Sequence, residues 1–317
     1  MNDEKVIVSI MILAYNHEPY IRKALDSIVM QQTDFKFEAI VGEDMSTDGT
    51  RTIIKEYAQK YPDIIKPIFR KKNLGASRNV VSTLKKCKGK YVAFLECDDY
   101  WIDPLKLQKQ YEFLEKNPDY AGVMSDVIVV NRYGKAMVTG PKILDHELIT
   151  STDFAKTMYP YNQFKFLGCF MTRNYYIESN YSSYFFMTKY VTDFILEAIS
   201  IIHGKIGFLS EYMAVYRWIP SHGNNFSAMK FDILCRDRIN SLKVVMRLFP
   251  RNTHRWIYMR ICKDYNILID NYIQKEEYFK LIRLLLIEMS FSEKIFYCIY
   301  HLINNERWFE WIKNLFL

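Results

Sequence analysis

The stretch YVAFLECDDYW, Tyr91 to Trp101, runs from an apolar segment straight into three acids, Glu96, Asp98 and Asp99. A carboxylate taken out of water without a partner is strongly unfavourable, so acids at the end of a buried run require a cation, backbone N–H donors or open water. A run this continuously apolar is the pattern of a strand covered on both faces.

The same succession occurs three times upstream. VIVSIMILAYN (6–16) precedes EPYIRKALDSIVMQQ (18–32), in which Ile21, Leu25, Ile28 and Val29 fall at helical spacing. FEAIVGEDMS (37–46) precedes TDGTRTIIKEYAQKYP (47–62), where Thr47 or Asp48 is a natural helix cap, and IKPIFR (65–70) precedes the helix in SRNVVSTLKKCKG (77–89). Alternating apolar strands and amphipathic helices predict an α/β fold with a mostly parallel sheet, whose ligands lie at the carboxyl ends of the strands. Tyr15-Asn16, Glu43-Asp44 and Glu96-x-Asp98-Asp99 all sit at such ends and are expected to converge on one rim. An acidic crevice on a chain of net charge +7 suits an anionic ligand that brings its own cation. Mg²⁺ or Mn²⁺ bridging two phosphates is the common case. Any single acid has a plainer reading as a cap or a solvated loop, Asp48 above all.

Composition narrows the classes further. The 317 residues are 50% hydrophobic and 25% charged, which is a globular balance and excludes a disordered chain. Six scattered cysteines form no C-x-x-C pair, which argues against a zinc ribbon or a dense disulfide framework and fits a reducing cytoplasm. MNDEKVIVSIMIL reads as a first strand rather than a signal peptide. Basic residues are interleaved with acids and form no continuous tract, so nucleic acid is not an expected partner.

VSIMILAYNHEPYIRKALDSIVMQQ, VGEDMSTDGT, NLGASRN and GKYVAFLECDDYW, in this order and spacing, resemble the nucleotide-sugar-binding half of family 2 glycosyltransferases with the GT-A fold. The resemblance covers most of residues 5 to 125. A second stretch, YVTDFILEAISIIHGKIGFLSEYMAVYRW (190–218), resembles the family's acceptor-side segment. It implies a GT-A domain over 1–228, with a donor half (1–125) and an acceptor half (126–228), followed by a helical region over 229–317. By position, Tyr15, Asn16 and Glu18 match the loop that holds the nucleotide, and Asp44 the acid that reads the base. Asn73, Gly75, Ser77 and Arg78 match the loop and helix start beside the ribose and diphosphate, where helix N–H groups and an Arg suit anions and Gly75 permits positive φ. Glu96 and Asp98 match the D-x-D positions for ribose and metal. Asp193 matches the general base, with Glu197 one turn on as a weaker candidate or a surface residue.

Two departures stand out. Glu96 replaces the first Asp of D-x-D, which makes Asp98 the firmer metal ligand. Met45 stands where the family usually has Gly, so a different backbone shape is expected in the second loop. His222 has two readings, a metal ligand or a structural histidine. Trp101 and Tyr100 either stack on a sugar or pack under the loop, and Gly89 reads as a helix stop.

Beyond residue 230 the resemblance ends. Apolar residues recur at helical spacing through residues 233–303, and charges interrupt every run before the ~20 apolar residues of a membrane span. The terminal NNERWFEWIKNLFL has three fates open to it: docking on the core, pairing with a second copy, or lying at a membrane interface. The resemblance implies an inverting, metal-dependent transferase moving a sugar from a nucleotide sugar, a UDP-sugar first, to a glycan or lipid-linked saccharide in surface polysaccharide synthesis. It would work in the cytoplasm or at the inner face of the membrane. The alternative is a non-catalytic nucleotide-sugar-binding partner. A nucleotidyltransferase is disfavoured because AYNHEPY has no glycine-rich phosphate loop.

Overall fold

The computed structural model describes residues 5–137, 145–158, 167–176, 181–190, 192–218, 231–275, 277–290 and 293–294. The first half follows the predicted succession. Strand β1 (Val8–Ala14) leads to α1 (Glu18–Val29), β2 (Phe37–Glu43) to α2 (Thr50–Lys60), β3 (Ile65–Phe69) to α3 (Ala76–Leu84), and β4 (Tyr91–Glu96) closes the series. β1 and β4 are almost wholly buried, as strands covered on both faces must be. Ile21, Ala24, Leu25 and Ile28 form the buried stripe of α1, and Pro19 sits in its first turn, where a missing N–H costs nothing.

Downstream come β5 (Tyr100–Trp101), α4 (Lys106–Lys116), β6 (Tyr120–Val130), α5 (Ser151–Met158), β7 (Met171–Arg173), α6 (Ser182–Phe185), α7 (Asp193–Ile201) and β8 (Lys205–Arg217). The sheet order is β3-β2-β1-β4-β7-β6-β8-β5. β1 to β4 pair in parallel, as do β6 and β8, while β7 and β5 run antiparallel to their neighbours. β1 lies between β2 and β4, so the chain reverses its direction of travel across the sheet there. The loops after β1 and β4 therefore open the crevice that binds ligands in such sheets.

α8 (Phe231–Leu248), α9 (His254–Gln274) and α10 (Tyr278–Arg283) follow. α8 packs on α7 and α9, and α9 on α5, so these C-terminal helices are seated on α5 and α7. Arg238 of α8 grips the fully buried Asp264 of α9 with two bonds of 2.7 and 2.6 Å. No helix among the described residues is long and apolar enough to cross a membrane. The terminal NNERWFEWIKNLFL lies outside the described residues.

Gly89 is not a helix stop. α3 has already ended, and the Gly89 N–H donates to Ser9 Oγ at 2.9 Å; a Cβ there would stand 2.5 Å from the Ser9 nitrogen. The glycine admits the backbone of β1. Trp101 packs rather than offering a sugar platform: it is 1% exposed and its indole N–H donates to Gly168 O at 2.7 Å.

Candidate active site

The loops after β1, β2 and β3 are tied into one lattice. Asn16, at φ 57°, accepts the Thr47 N–H on its side-chain oxygen at 2.8 Å, and its own N–H donates to Ser46 Oγ at 3.1 Å. The Glu18 carboxylate accepts the Gly49 N–H at 2.7 Å, and Asp48 accepts N–H groups from both Glu18 and Thr50, at 3.1 and 3.0 Å. Asp48 thus ties together the starts of α1 and α2, although the cap position of α2 is taken by Gly49 and not by Thr47 or Asp48. Tyr15 stays 41% exposed at the lip.

Asp44 is 3% exposed. One carboxylate oxygen accepts the Leu74 N–H at 2.7 Å and the other the Gly75 N–H at 2.9 Å, while Asn73 donates to the Asp44 carbonyl at 3.0 Å. The acid therefore fixes the third loop, in which Gly75 adopts φ 79° at the start of α3. Asp44→Ala is expected to lower stability by about 2 kcal/mol, because two backbone donors lose their acceptor. Urea unfolding measures it.

Three expectations are corrected here. Glu43 does not join the rim: it is fully buried, paired with Arg51 and accepting the Ser46 N–H at 2.6 Å. Ser77 is 5% exposed and turned away from the crevice, its hydroxyl donating to Thr188 O at 2.7 Å; Arg78 beside it is exposed. Met45, expected to need a different backbone shape, holds φ 64°, the left-handed conformation that glycine adopts freely. Met45→Gly should raise unfolding stability by about 1 kcal/mol and Met45→Val lower it by a similar amount, since a branched Cβ crowds most in that region.

At the end of β4 the acids meet the end of β8. Asp99 is 1% exposed and accepts the Arg217 N–H at 2.6 Å; the Arg217 guanidinium donates to the Asp98 carbonyl at 3.0 Å. Burial, then the charges of Asp98 and Glu96, push the Asp99 carboxyl well above its ordinary range. Burial, then Asp193 and Asp98, do the same to Glu96. Glu96 still reaches solvent, so crevice water tempers the first cause more than the second. Asp193 is the first residue of α7, and burial raises its carboxyl to about 6. Glu197, one turn on, is 1% exposed and not a surface residue.

Sequence reasoning missed two members of this cluster. Burial and the charges of Glu96, Asp99, Asp98 and Asp193 together push the Tyr216 hydroxyl upward, which places one phenol in the field of all four acids. The sequence showed a Tyr-Arg strand but not what it faced. His17 is held below its ordinary pKa by burial, against the opposing pull of Asp98 and Asp48. Its signal was its position one residue past the Tyr15-Asn16 pair. His222 lies outside the described residues.

Residues 9–180, more than half of the chain, match the family model described as Glycosyl transferase family 2. The chain belongs to glycosyl transferase family 2. This family 2 chain is 35% identical over 213 residues to an uncharacterised protein of Mycobacterium tuberculosis, covering 66% of this chain and 58% of that one. It is 38% identical over 114 residues to the putative teichuronic acid biosynthesis glycosyltransferase TuaG of Bacillus subtilis, covering 36% of this chain and 44% of that one. It thus spans less than two thirds of these curated relatives. Among solved structures it resembles S. aureus TarS 1–349 in complex with UDP-GlcNAc, with TM-score 0.55 and 16% identity over 93% of this chain and 79% of that one. It also resembles the mannosyltransferase PcManGT of Pyrobaculum calidifontis in complex with GDP-Man and Mn²⁺, with TM-score 0.52 and 12% identity over 94% and 85% of the two chains. At such identities the likeness is one of fold, and with the sheet order it gives this family 2 chain the GT-A architecture.

Among the described residues no group of three or more His, Cys, Asp or Glu side chains forms a cage for a metal ion. The donor set that remains, Glu96 and Asp98 opening on the crevice, fits a cation that takes one or two carboxylates and fills its shell with phosphate oxygens and water.

Proposed function

We propose that this chain transfers a sugar from a nucleotide-diphosphate sugar, a UDP-sugar first, to a hydroxyl of a glycan or lipid-linked saccharide, with inversion at the anomeric carbon. The reaction belongs to surface polysaccharide synthesis and takes place in the cytoplasm or against the inner face of the membrane. The observation that carries this reading is the electrostatic meeting of Glu96, Asp98 and Asp99 with Asp193 around Tyr216, at the sheet's switch point. The teichuronic acid enzyme among the relatives and the nucleotide sugars bound in the structural neighbours support the substrate class.

In this reading Asp193 takes the proton of the acceptor hydroxyl as it attacks. A carboxyl raised to about 6 is still ionised near neutral pH yet more basic than an ordinary aspartate, which suits that task. Attack from the face opposite the leaving diphosphate gives inversion. Asp98, with Glu96 beside it, would hold Mn²⁺ or Mg²⁺, which when bound neutralises the departing diphosphate. Asp44 reads the base through the acceptor capacity its carboxylate retains, and Tyr15, Asn73 and Arg78 border the nucleotide.

Thermal stabilisation by a panel of nucleotide sugars, with and without Mn²⁺, tests the reading. A true donor at ~100 times its dissociation constant should add roughly 2.7 kcal/mol. Metal-dependent stabilisation by one donor, followed by its turnover, is the expected result. Stabilisation without turnover under any acceptor would make the chain a nucleotide-sugar-binding partner, and no stabilisation at all would sink both readings.

A further inference from the structure

We propose that Asp237, on α8 of the C-terminal helices, is a positioning residue that sets Asp193 in the crevice; the role of Asp193 itself rests on the transferase reading above. Asp237 is 6% exposed, and its two carboxylate oxygens accept the N–H groups of Lys189 and Tyr190 at 2.7 and 2.6 Å. On the neighbouring residue, Ser77 at the start of α3 donates to Thr188 O at 2.7 Å. Residues 188–190 are therefore fastened from two sides, by the donor half and by a helix about forty residues downstream. Asp193 follows three residues later as the first residue of α7, a helix that packs on α8.

The chemistry requires a carboxylate. Two consecutive backbone N–H groups that point the same way need two acceptors on one rigid side chain, and an ionised Asp supplies both. Asn supplies one acceptor and aims an NH₂ at the second donor. A base misplaced by about 1 Å loses up to about 10²-fold in rate even when the fold is intact, so the tether controls turnover without touching substrate.

The full-length chain carrying Asp237→Asn or Asp237→Ala tests this against a control, Arg238→Met. That control breaks the α8–α9 pair with Asp264 and leaves residues 188–190 alone. Hydrogen exchange over residues 186–193 should rise at least tenfold in both Asp237 variants, while Mn²⁺-dependent UDP binding stays within about twofold of wild type. Turnover of the UDP-sugar found in the donor panel should fall at least tenfold in kcat with donor KM unchanged. Arg238→Met should lower the melting temperature and keep kcat. Unchanged exchange, unchanged kcat in a folded Asp237 variant, or an equal kcat loss in Arg238→Met would each overturn the proposal. Asp193→Asn measured alongside separates the two claims. Full activity in that variant removes the base and the tether's purpose together, whereas an inactive Asp193→Asn beside a fully active Asp237→Asn removes the tether alone.

Discussion

Asp193→Asn is expected to lower transfer by about 10²-fold or more while UDP and Mn²⁺ affinities stay near wild type, because a general base is needed only when the acceptor hydroxyl attacks. The wild-type rate should fall as pH drops through about 6, where the raised carboxyl takes up its proton. Stability moves in the opposite sense. The folded chain binds this proton more tightly than the unfolded one, so its contribution is complete below the ordinary Asp pKa of about 4 and lost as pH rises to about 6. Asn removes that penalty. The variant should therefore melt at a higher temperature than wild type at pH 7 and at about the same temperature at pH 3. A protein that is more stable, binds donor and does not transfer is the expected outcome; a near-normal rate would take Asp193 out of the mechanism. The plainer reading, a helix cap, already has little support, since Thr192 occupies the cap position of α7.

Asp98→Asn should abolish transfer and the Mn²⁺-dependent part of UDP binding, because the amide keeps the shape and loses the charge that holds a divalent cation. Calorimetric titration of UDP with Mn²⁺ and with EDTA decides it. The two curves should coincide in the variant and differ in the wild type, and a variant whose UDP affinity still responds to Mn²⁺ would move the metal away from Asp98.

The parallel core was legible because each of its strands is an apolar run that stops at a polar cluster, and α1 to α3 show their buried stripe within three turns. Asp98 and Asp193 were singled out by family spacing, and the structure brings both carboxylates into the field of Tyr216. What escaped was decided across the fold. Ser77 reads locally as part of a phosphate-flanking loop, and only Thr188, 111 residues away, turns it inward. Glu43 looks like a second rim acid until Arg51, the second residue of α2, pairs with it in the interior. Tyr216 became a site residue because β5, which directly follows the acids of β4, pairs with β8 (Tyr100 opposite Val215), a long-range pairing that no local period encodes. Met45 shows the reverse case: its left-handed backbone persists although the residue type argues against it.

The bond from Arg217 N–H to Asp99 spans 118 residues of chain. A ribosome adds about 5 to 20 residues per second, so the carboxylate of Asp99 is made roughly 6 to 24 s before the amide that receives it. Throughout that interval the β4 end carries an acid whose native burial has no hydrogen-bond donor from β8. The parallel strands can pair as they emerge, but the floor of the crevice cannot close behind them. Completion of the acid cluster is thus a late event in synthesis, and until β8 is made the Asp99 carboxylate must keep its water in place of the Arg217 amide.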